Sequence, residues 1–248
     1  MKTLSTRKLL SVLSLATMIL VVTTTVAQEE QPYLTSDELP NAVYWLPAPA
    51  QPGSSQFMYD ISQYYWGKEQ RLDTARANKA IQEAQYEVID MARQFSKAFG
   101  MDISPKKTPA IYHLLERGIL TIRLSATKPK ATYMRTRPYA YFNEHTLVPE
   151  EEEELRTNGS YPSGHTVRGW GMALILCEIN PEAQDELLKL GYEWGQSRVI
   201  AGFHWQSDVD ASRMLAAACY ASLHTCEAFL KDLSAAKKEF MLLKKSRM

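Results

Sequence analysis

Apolar residues recur at spacings of three and four along most of this chain, and this repeat restricts the fold more than any other feature of the sequence. It runs through residues 56–99, 111–124, 165–177, 182–200 and 208–243. Such spacing places apolar side chains on one face of an α-helix, whereas a half-buried strand requires strict alternation. No run of alternating residues bounded by hairpin signals occurs in the sequence. We therefore predict an all-α, single-domain helical bundle.

Prolines divide the predicted helices from one another. Ser104-Pro105 is a typical helix start before the strongly apolar segment 111–124, which we expect to sit centrally in the core. Asn180-Pro181 separates two later helices, and the last helix is predicted to run from Asp208 to about Leu243. Residues 128–154 contain three prolines and an acidic run, so we predict a loop there. The bundle would then have one loop-rich face.

The first 27 residues have the parts of a secretory signal peptide. Lys2, Arg7 and Lys8 give a positive start, an apolar stretch covers residues 9–22, and small residues lead to Ala27. A permanent membrane anchor is the alternative, but the stretch has 14 residues and is interrupted by hydroxyl side chains, whereas a spanning helix needs about 20 apolar residues. We expect cleavage after Ala27, no membrane association afterwards, and a periplasmic or secreted protein.

Residues 28–55 differ in composition from the rest of the chain. They contain five prolines and end with Gly53, Ser54 and Ser55. Proline lacks the amide donor that a helix interior needs, so a long helix is excluded there. We predict an extended arm over the surface, followed by a helical domain from residue 56 to residue 248.

The charge of the chain argues against nucleic acid as a partner. Without residues 1–27, which contain three basic residues and no acid, 25 basic and 28 acidic side chains remain. Proteins that bind nucleic acid carry a strong basic excess on one face. We therefore do not expect nucleic acid to be the main partner of this nearly neutral body.

The three cysteines do not form a disulfide scaffold, because their number is odd. Cys219 and Cys226 are predicted on one helix, where they would lie about 10 Å apart along the axis, too far to bridge. Cys177 either pairs with one of them or all three are buried thiols, and we favour the second interpretation.

The segment from Lys130 to Pro138 is the first of three that carry residue types suited to phosphate. Arg137 offers a planar fork to two phosphate oxygens, and Lys130 supplies a point charge. Basic loops are common and are usually only solvated, so this segment alone is weak evidence. Tyr139, Tyr141 and Phe142 follow it and are candidates either for stacking on a nucleoside or aryl leaving group or for packing in the core or at its rim.

The second segment is Gly159 to Thr166, which precedes a predicted helix. Ser163 can cap that helix, and the first backbone N–H groups point toward an anion. Gly164 has no Cβ to obstruct close approach. His165 at this terminus can give a proton to a leaving oxygen. An ordinary capped turn with a surface histidine is the competing interpretation.

The third segment runs from Ser197 to Asp208. His204 and Asp208 are four residues apart, so on a regular helix the carboxylate lies one turn from the imidazole. A carboxylate that accepts one ring N–H leaves the other nitrogen free to attack. Arg198 can face the same pocket as a third cation, whereas a structural pairing of His204 with Asp208 is the competing interpretation.

Together the three segments favour phosphoryl transfer without a metal ion. They supply three cations, a helix start for an anion, a histidine suited to acid catalysis and another with an orienting carboxylate. His165 and His204 have no paired Cys or carboxylate at ligand spacing, so we predict no metal site.

These segments also carry a family resemblance. Lys130 to Pro138 matches the K-x6-R-P element, Pro162 to His165 the P-S-G-H element, and Ser197 to Asp208 the S-R-x5-H-x3-D element of the phosphatidic acid phosphatase type 2 superfamily. Within it, G-S-Y-P-S-G-H-T and W-G-Q-S-R-V-I-A-G-F-H-W-Q-S-D-V-D make the chain similar to the bacterial class A non-specific acid phosphatases. Relatives often have Cys where Ala201 stands and a partner Cys in the loop that corresponds to residues 139–158, which has none here. We therefore do not expect a disulfide at that loop.

The resemblance implies a fold of the phosphatidic acid phosphatase type 2 and vanadium haloperoxidase type and a phosphohistidine mechanism for small phosphomonoesters. It makes His204 the nucleophile, Asp208 its orienter and His165 the acid that later activates water. It assigns the phosphoryl oxygens to Lys130, Arg137, Ser163, Gly164 and Arg198. It also implies no cofactor, some phosphotransferase activity and a homo-oligomer. Neutral His204 together with protonated His165 would favour a mildly acidic optimum, since histidine ordinarily titrates at about 6.5.

Three alternatives share the signature or its parts. Vanadium haloperoxidases hold vanadate at the phosphate site but are typically much longer, and membrane lipid phosphatases need several spanning helices that the mature chain lacks. A non-catalytic phosphate-binding helical protein would not require a histidine with its own orienting carboxylate.

Overall fold

The computed structural model describes residues 30–246, and every regular element within that range is helical. The predicted signal peptide, residues 1–27, lies outside the described residues. Single 3-10 turns at Pro149–Glu151 and Pro181–Ala183 lead into α8 and α10. The α-helices of this range are α1 (Ala42–Trp45), α2 (Ser55–Gln70), α3 (Thr74–Gln82), α4 (Val88–Phe99), α5 (Pro109–Leu124), α6 (Thr127–Tyr133), α7 (Pro138–Phe142), α8 (Glu152–Arg156), α9 (Gly164–Ile179), α10 (Gln184–Ala201), α11 (Gln206–Leu223) and α12 (Glu227–Lys245). The all-α prediction is confirmed.

Helix α9 occupies the centre of the bundle. Ten of its 16 residues are buried, and it packs against α5, α10, α11 and α12. Small residues allow this close packing: a Cβ on Gly169 would overlap the indole of Trp194 on α10, and one on Gly171 would lie 2.7 Å from Ile122 on α5. Helix α5, which we expected at the centre, therefore packs beside α9 and shares the core with it.

The predicted loop at residues 128–154 is wrong in part, because α6, α7 and the start of α8 lie within it. Its prolines stand in first turns of helices, where the missing amide donor costs nothing and the fixed φ favours helix. Pro138 is the first residue of α7, and Pro129 lies in the first turn of α6. Met134 and Asn143 end these two helices in the left-handed region, with φ of 40° and 52°.

Two other predicted boundaries differ from the structure. Helix α5 begins at Pro109 and not at Ser104-Pro105, because the Ser104 N–H donates to the side chain of Thr108 in a turn before the helix. The last predicted helix is divided into α11 and α12. His224 Nδ1 lies 3.0 Å from the Tyr220 carbonyl, the group that a continuing helix would offer to the His224 amide.

The proline-rich arm is anchored to the bundle. It contains α1 and short turns at residues 35–38 and 51–54, and the Tyr161 hydroxyl donates to the Pro47 carbonyl. Four of its apolar side chains are buried in the main core: Tyr33, Leu39, Ala42 and Leu46.

The three cysteines are free thiols. Cys219 is buried on α11, where burial raises its pKa to about 12, whereas Cys177 and Cys226 are half-buried. Cys226 precedes α12 and does not share a helix with Cys219, so the predicted single helix for this pair is wrong. No helix within residues 30–246 is both long enough and apolar enough to cross a membrane.

Candidate active site

A cavity of about 420 Å³ opens where the loops before α7, α9 and α11 meet the C-terminal ends of α5 and α10. Most of the predicted site residues line it: Lys130, Arg137, Gly164, His165, Arg198 and His204. Ser163 and Asp208 are not among the lining residues and lie fully buried behind the wall. The structure therefore brings the three sequence segments together, with two of their side chains in supporting positions.

His204 and Asp208 form a pair, and of the two only Asp208 lies on a helix. His204 lies on the loop before α11, and Asp208 is the third residue of that helix, so the assumption of a continuous helix across the pair is wrong. Asp208 Oδ2 is 3.3 Å from His204 Nδ1 and also accepts the Trp205 backbone N–H at 2.9 Å. Because a carboxylate accepts, the Nδ1 atom of His204 carries the hydrogen.

The opposite nitrogen of His204 faces Arg137. Arg137 Nη1 lies 3.1 Å from His204 Nε2, and a guanidinium can only donate, so the lone pair is on Nε2. Burial, together with the charges of Arg137 and Lys130, lowers the pKa of His204 well below its ordinary value. The imidazole is therefore neutral, with a basic nitrogen directed at a cation-lined cavity.

Arg135 binds the carboxylate oxygen of Asp208 that does not contact His204, a role that the sequence did not predict. Its Nη1 donates to Asp208 Oδ1 at 2.5 Å, and its Nη2 donates to Asp60 Oδ2 at 2.7 Å. Asp60 also accepts bonds from the backbone and hydroxyl of Ser207. This buried network fixes the carboxylate that contacts His204. Its only sequence signal was the position of Arg135 between two predicted phosphate-binding cations.

Arg198 is the most deeply buried cation of the site, with 2% of the residue exposed. Its Nε and Nη1 atoms have no hydrogen-bond partner among the described residues, and its Nη2 lies 3.5 Å from Glu151 Oε2. Burial lowers its pKa to about 10, which keeps it charged at neutral pH. Buried charged donors without partners are costly unless a ligand satisfies them.

Lys130 and Arg137 complete the cationic wall. Lys130 Nζ donates to the Gly159 carbonyl at 2.5 Å, and Arg137 Nε donates to the carbonyls of Leu155 and Asn158. These carbonyls orient the two side chains but carry no full negative charge. Burial and the nearby Arg137 lower the pKa of Lys130 to about 7.

Helix α9 begins at this wall with Ser163 as its N-cap, as predicted. Ser163 Oγ accepts the Thr166 N–H at 3.3 Å and the Thr166 hydroxyl at 2.9 Å. With two bonds accepted, the Ser163 hydroxyl retains its own hydrogen for donation. A Cβ on Gly164 would lie 3.6 Å from Lys130 Cε, at the cavity wall that both residues form.

His165, the second residue of α9, is anchored from behind. Its Nε2 donates to the Glu83 carbonyl at 2.6 Å, so Nδ1 is the nitrogen left for a ligand. Burial and the charges of Arg198 and Arg168 lower its pKa well below the ordinary value. His165 is therefore neutral near pH 7, and an acid role requires the negative charge of a substrate beside it.

Several cavity residues had no role in the sequence analysis. Tyr86, Arg123, Glu151 and Arg168 line the cavity, whereas Tyr139, Tyr141 and Phe142 do not. Those three aromatic residues pack against Phe203, Phe57 and Tyr64 respectively, with Tyr139 buried and Tyr141 exposed, which supports packing in the core or at its rim. Tyr86 has no sequence signal, because it lies in the short connection between α3 and α4.

The described residues, 30–246, contain no group of three or more His, Cys, Asp or Glu side chains arranged to hold a metal ion. The cations of the cavity donate to the backbone carbonyls of Gly159, Leu155 and Asn158, and the lining carboxylate of Glu151 lies 3.5 Å from Arg198 Nη2. The chemistry of the wall is therefore that of donors to an anion.

Comparisons of the sequence with known proteins identify a family. The family model described as PAP2 superfamily matches residues 111–231. The chain is 45% identical over 214 residues to a non-specific acid phosphatase of Providencia stuartii, with 86% of each chain covered. It is 41% identical over 223 residues to a non-specific acid phosphatase of Salmonella typhimurium, covering 89% of this chain and 88% of that one. An acid phosphatase of Zymomonas mobilis is 30% identical over 212 residues, covering 86% of this chain and 80% of that one.

Proposed function

The chain belongs to the PAP2 superfamily, and we propose that it is a metal-independent acid phosphatase that hydrolyses phosphomonoesters through a phosphohistidine on His204. One observation carries this proposal. A neutral histidine with its lone pair on Nε2 faces a wall of buried cations, of which Arg198 has two nitrogen atoms without partners. A phosphoryl group is an anion of the size and charge that these donors require.

In the first half of the reaction, His204 Nε2 attacks phosphorus and the bond from phosphorus to the ester oxygen breaks. The hydrogen bond from Arg137 to Nε2 is exchanged for one to a phosphoryl oxygen, with the proton staying on Arg137, and this frees the lone pair. The Asp208 carboxylate keeps hydrogen on Nδ1 and stabilises the positive charge that develops on the ring.

The leaving oxygen receives a proton from His165. The negative charge of a bound ester raises the pKa of the His165 ring, which burial and the charges of Arg198 and Arg168 otherwise lower. In the second half, water loses a proton to His165 and attacks phosphorus, the bond to His204 Nε2 breaks, and phosphate leaves. An alcohol in place of that water would give phosphotransferase activity from the same intermediate.

The remaining groups stabilise the transferring phosphoryl. Lys130, Arg137 and Arg198 face its equatorial oxygens, with the backbone N–H groups at the start of α9 as further donors, and Ser163 caps that helix from behind the wall. A fixed donor at a developing negative charge lowers the activation barrier by about 2.7 to 4 kcal/mol. Because these groups are in place before the substrate arrives, little reorganisation is needed.

Acidic conditions favour activity because they keep Lys130 positively charged. Its pKa of about 7 makes the side chain charged below neutral pH and increasingly neutral above it. A neutral Lys130 removes one of three positive charges from the phosphoryl wall. Activity should therefore decline as the pH rises above about 7.

We also propose that residues 1–27 direct the protein to the periplasm or outside the cell, and that the mature chain assembles as a homo-oligomer. The first is tested by sequencing the N-terminus of the secreted protein, which should begin at Gln28. The second is tested by light scattering of the purified mature chain.

The proposed function is tested by hydrolysis of phenyl phosphate in the presence of a chelator. Wild-type enzyme should remain active, whereas His204→Ala and His165→Ala should lose at least about 10³-fold in kcat. His113→Ala is the matched control, because His113 is partly exposed and pairs with Glu30 and Asp232 away from the cavity. Loss of wild-type activity with chelator would refute metal independence, and an active His204→Ala enzyme would refute the nucleophile.

A further inference from the structure

A second pair of cations borders the active-site cavity. Arg123 lies in the last turn of α5, and Arg168 lies one turn after His165 on α9. Both line the active-site cavity and also a neighbouring cavity of about 260 Å³. Tyr86 is the third residue shared by the two cavities. These three side chains therefore form the boundary between the phosphoryl wall and an adjoining groove.

Neither guanidinium has a carboxylate partner among residues 30–246. The ion pairs of this range include two for Arg135 and one for Arg213, but none for Arg123 or Arg168. Glu87 and Glu116 line the adjoining groove and form no ion pair with either arginine. The Arg168 guanidinium instead lies 4.5 Å from the centre of the Tyr86 ring.

The two arginines are also close enough to repel each other. Burial and the charge of Arg123 lower the pKa of Arg168 to about 10. Glu87 acts in the opposite direction but forms no ion pair with Arg168, so the repulsion between the two arginines is not fully offset. A bound anion would relieve this repulsion and satisfy both sets of donors.

The phosphoryl group under attack does not need this pair. Its oxygens already have Lys130, Arg137 and Arg198, with the N-terminus of α9 beside them. Arg168 is displaced from His165 by one helical turn, about 5 Å, in the direction of the adjoining groove. The position corresponds to the leaving group of a substrate, because His165 is the residue that protonates the leaving oxygen.

We propose that Arg123 and Arg168 bind a second phosphate, carried by the leaving group, and that the apolar part of that group lies against Tyr86. The preferred substrates of this site are then organic bisphosphates. This proposal rests on the proposed function, which sets the attacked phosphate at His204 and the leaving group at His165.

Binding of non-hydrolysable phosphonates tests the second site without turnover. Calorimetric titration of the wild-type protein with phenylene bisphosphonate and with phenylphosphonate gives the two Kd values. We expect the bisphosphonate to bind about tenfold more tightly than phenylphosphonate, after correction for the statistical factor of its two equivalent ends. A tenfold gain in affinity is about the contribution of one hydrogen bond to a charged group. Arg168→Gln and Arg123→Gln should each remove most of this preference.

The control is Arg93→Gln, which removes the same charge from an exposed arginine paired with Asp90 on α4. It should retain the wild-type preference. Arg123 is an exposed side chain, so its variant keeps the test valid even if Arg168→Gln is unstable. Equal wild-type affinity for the two phosphonates, or a preference that survives in both arginine variants, would overturn the proposal.

Turnover of phenyl phosphate and hydroquinone bisphosphate separates the two claims. Hydrolysis of phenyl phosphate without any preference for the bisphosphonate would refute the second site and leave the proposed function intact. A clear preference for the bisphosphonate with no hydrolysis of either ester would refute the phosphatase and leave the second anion site intact.

Discussion

Arg137 Nη1 lies 3.1 Å from His204 Nε2, so a hydrogen-bond donor contacts the atom proposed to attack phosphorus. The contact explains why His204 stays neutral in a cationic cavity. If Nε2 were protonated, its N–H would point at an N–H of Arg137, and neither group could accept a hydrogen bond. The contact also means that substrate binding and nucleophile release are one event, since a phosphoryl oxygen is the better acceptor for the guanidinium.

Arg135 is predicted to be a positioning residue for His204. Arg135→Lys removes the bidentate bridge from Asp60 to Asp208, so kcat should fall about tenfold to 100-fold while KM changes little. Steady-state kinetics on phenyl phosphate measure this. Arg93→Lys is the matched control and should retain wild-type kcat. A rise in KM without a loss of kcat would show that Arg135 acts on binding instead.

Lys130 should set the alkaline limit of activity. With a pKa of about 7, its charge is present below that pH and is lost above it, so kcat/KM should fall as the pH rises through this region. Lys130→Arg keeps the charge and should move the alkaline limb upward. The substrate ionisation is common to both enzymes and cancels in the comparison. An unchanged limb in the variant would assign it to another group.

The empty enzyme should lose stability as the pH falls below neutral. His165 and His204 have lowered pKa values in the folded protein, whereas unfolded histidine titrates at about 6.5. Below that pH the unfolded chain binds more protons, which costs up to about 1.4 kcal/mol per histidine and pH unit. Urea unfolding from pH 7 to pH 5 should show the loss, and inorganic phosphate should reduce it. Stability that is flat over this interval would show that the histidines are protonated in the fold.

Alanine substitutions at two glycines of α9 should differ in effect, one lowering the stability of the fold and the other weakening substrate binding. Gly169→Ala forces a Cβ into Trp194 and should destabilise the fold by about 1 to 3 kcal/mol in urea unfolding. Gly164→Ala meets only Lys130 Cε at 3.6 Å and should leave the unfolding free energy within about 1 kcal/mol of wild type. Its cost should appear in KM, because the new methyl group enters the cavity wall. Similar unfolding losses for both variants would contradict the packing described for this helix.

Sequence periodicity identified the helical class and most long helices, because apolar spacing reports directly on buried faces. It predicted a loop at residues 128–154, because the sequence alone does not distinguish a proline in the first turn of a helix from a proline in a loop. The division between α11 and α12 depends on the His224 side chain competing for a backbone carbonyl, which a periodic pattern does not contain.

The site segments were recognisable because each keeps its functional residues close together in sequence. The supporting residues are not local: Asp60 and Arg135 are 75 positions apart, and Glu83 and His165 are 82 apart. Only the packing of α2 and α3 against α10 and α11 brings them to the site. Arg123 and Arg168 were missed for the same reason, because isolated arginines on two helices form no motif.

The central claim is tested most directly by trapping the covalent intermediate. The wild-type enzyme is mixed with phosphorus-labelled phenyl phosphate, quenched in alkali within one turnover, and digested for mass spectrometry. The label should appear transiently on His204, decay at the rate of turnover, and be absent from His204→Ala. A wild-type enzyme that turns over without label on His204, or a His204→Ala enzyme that carries the same label, would contradict the mechanism.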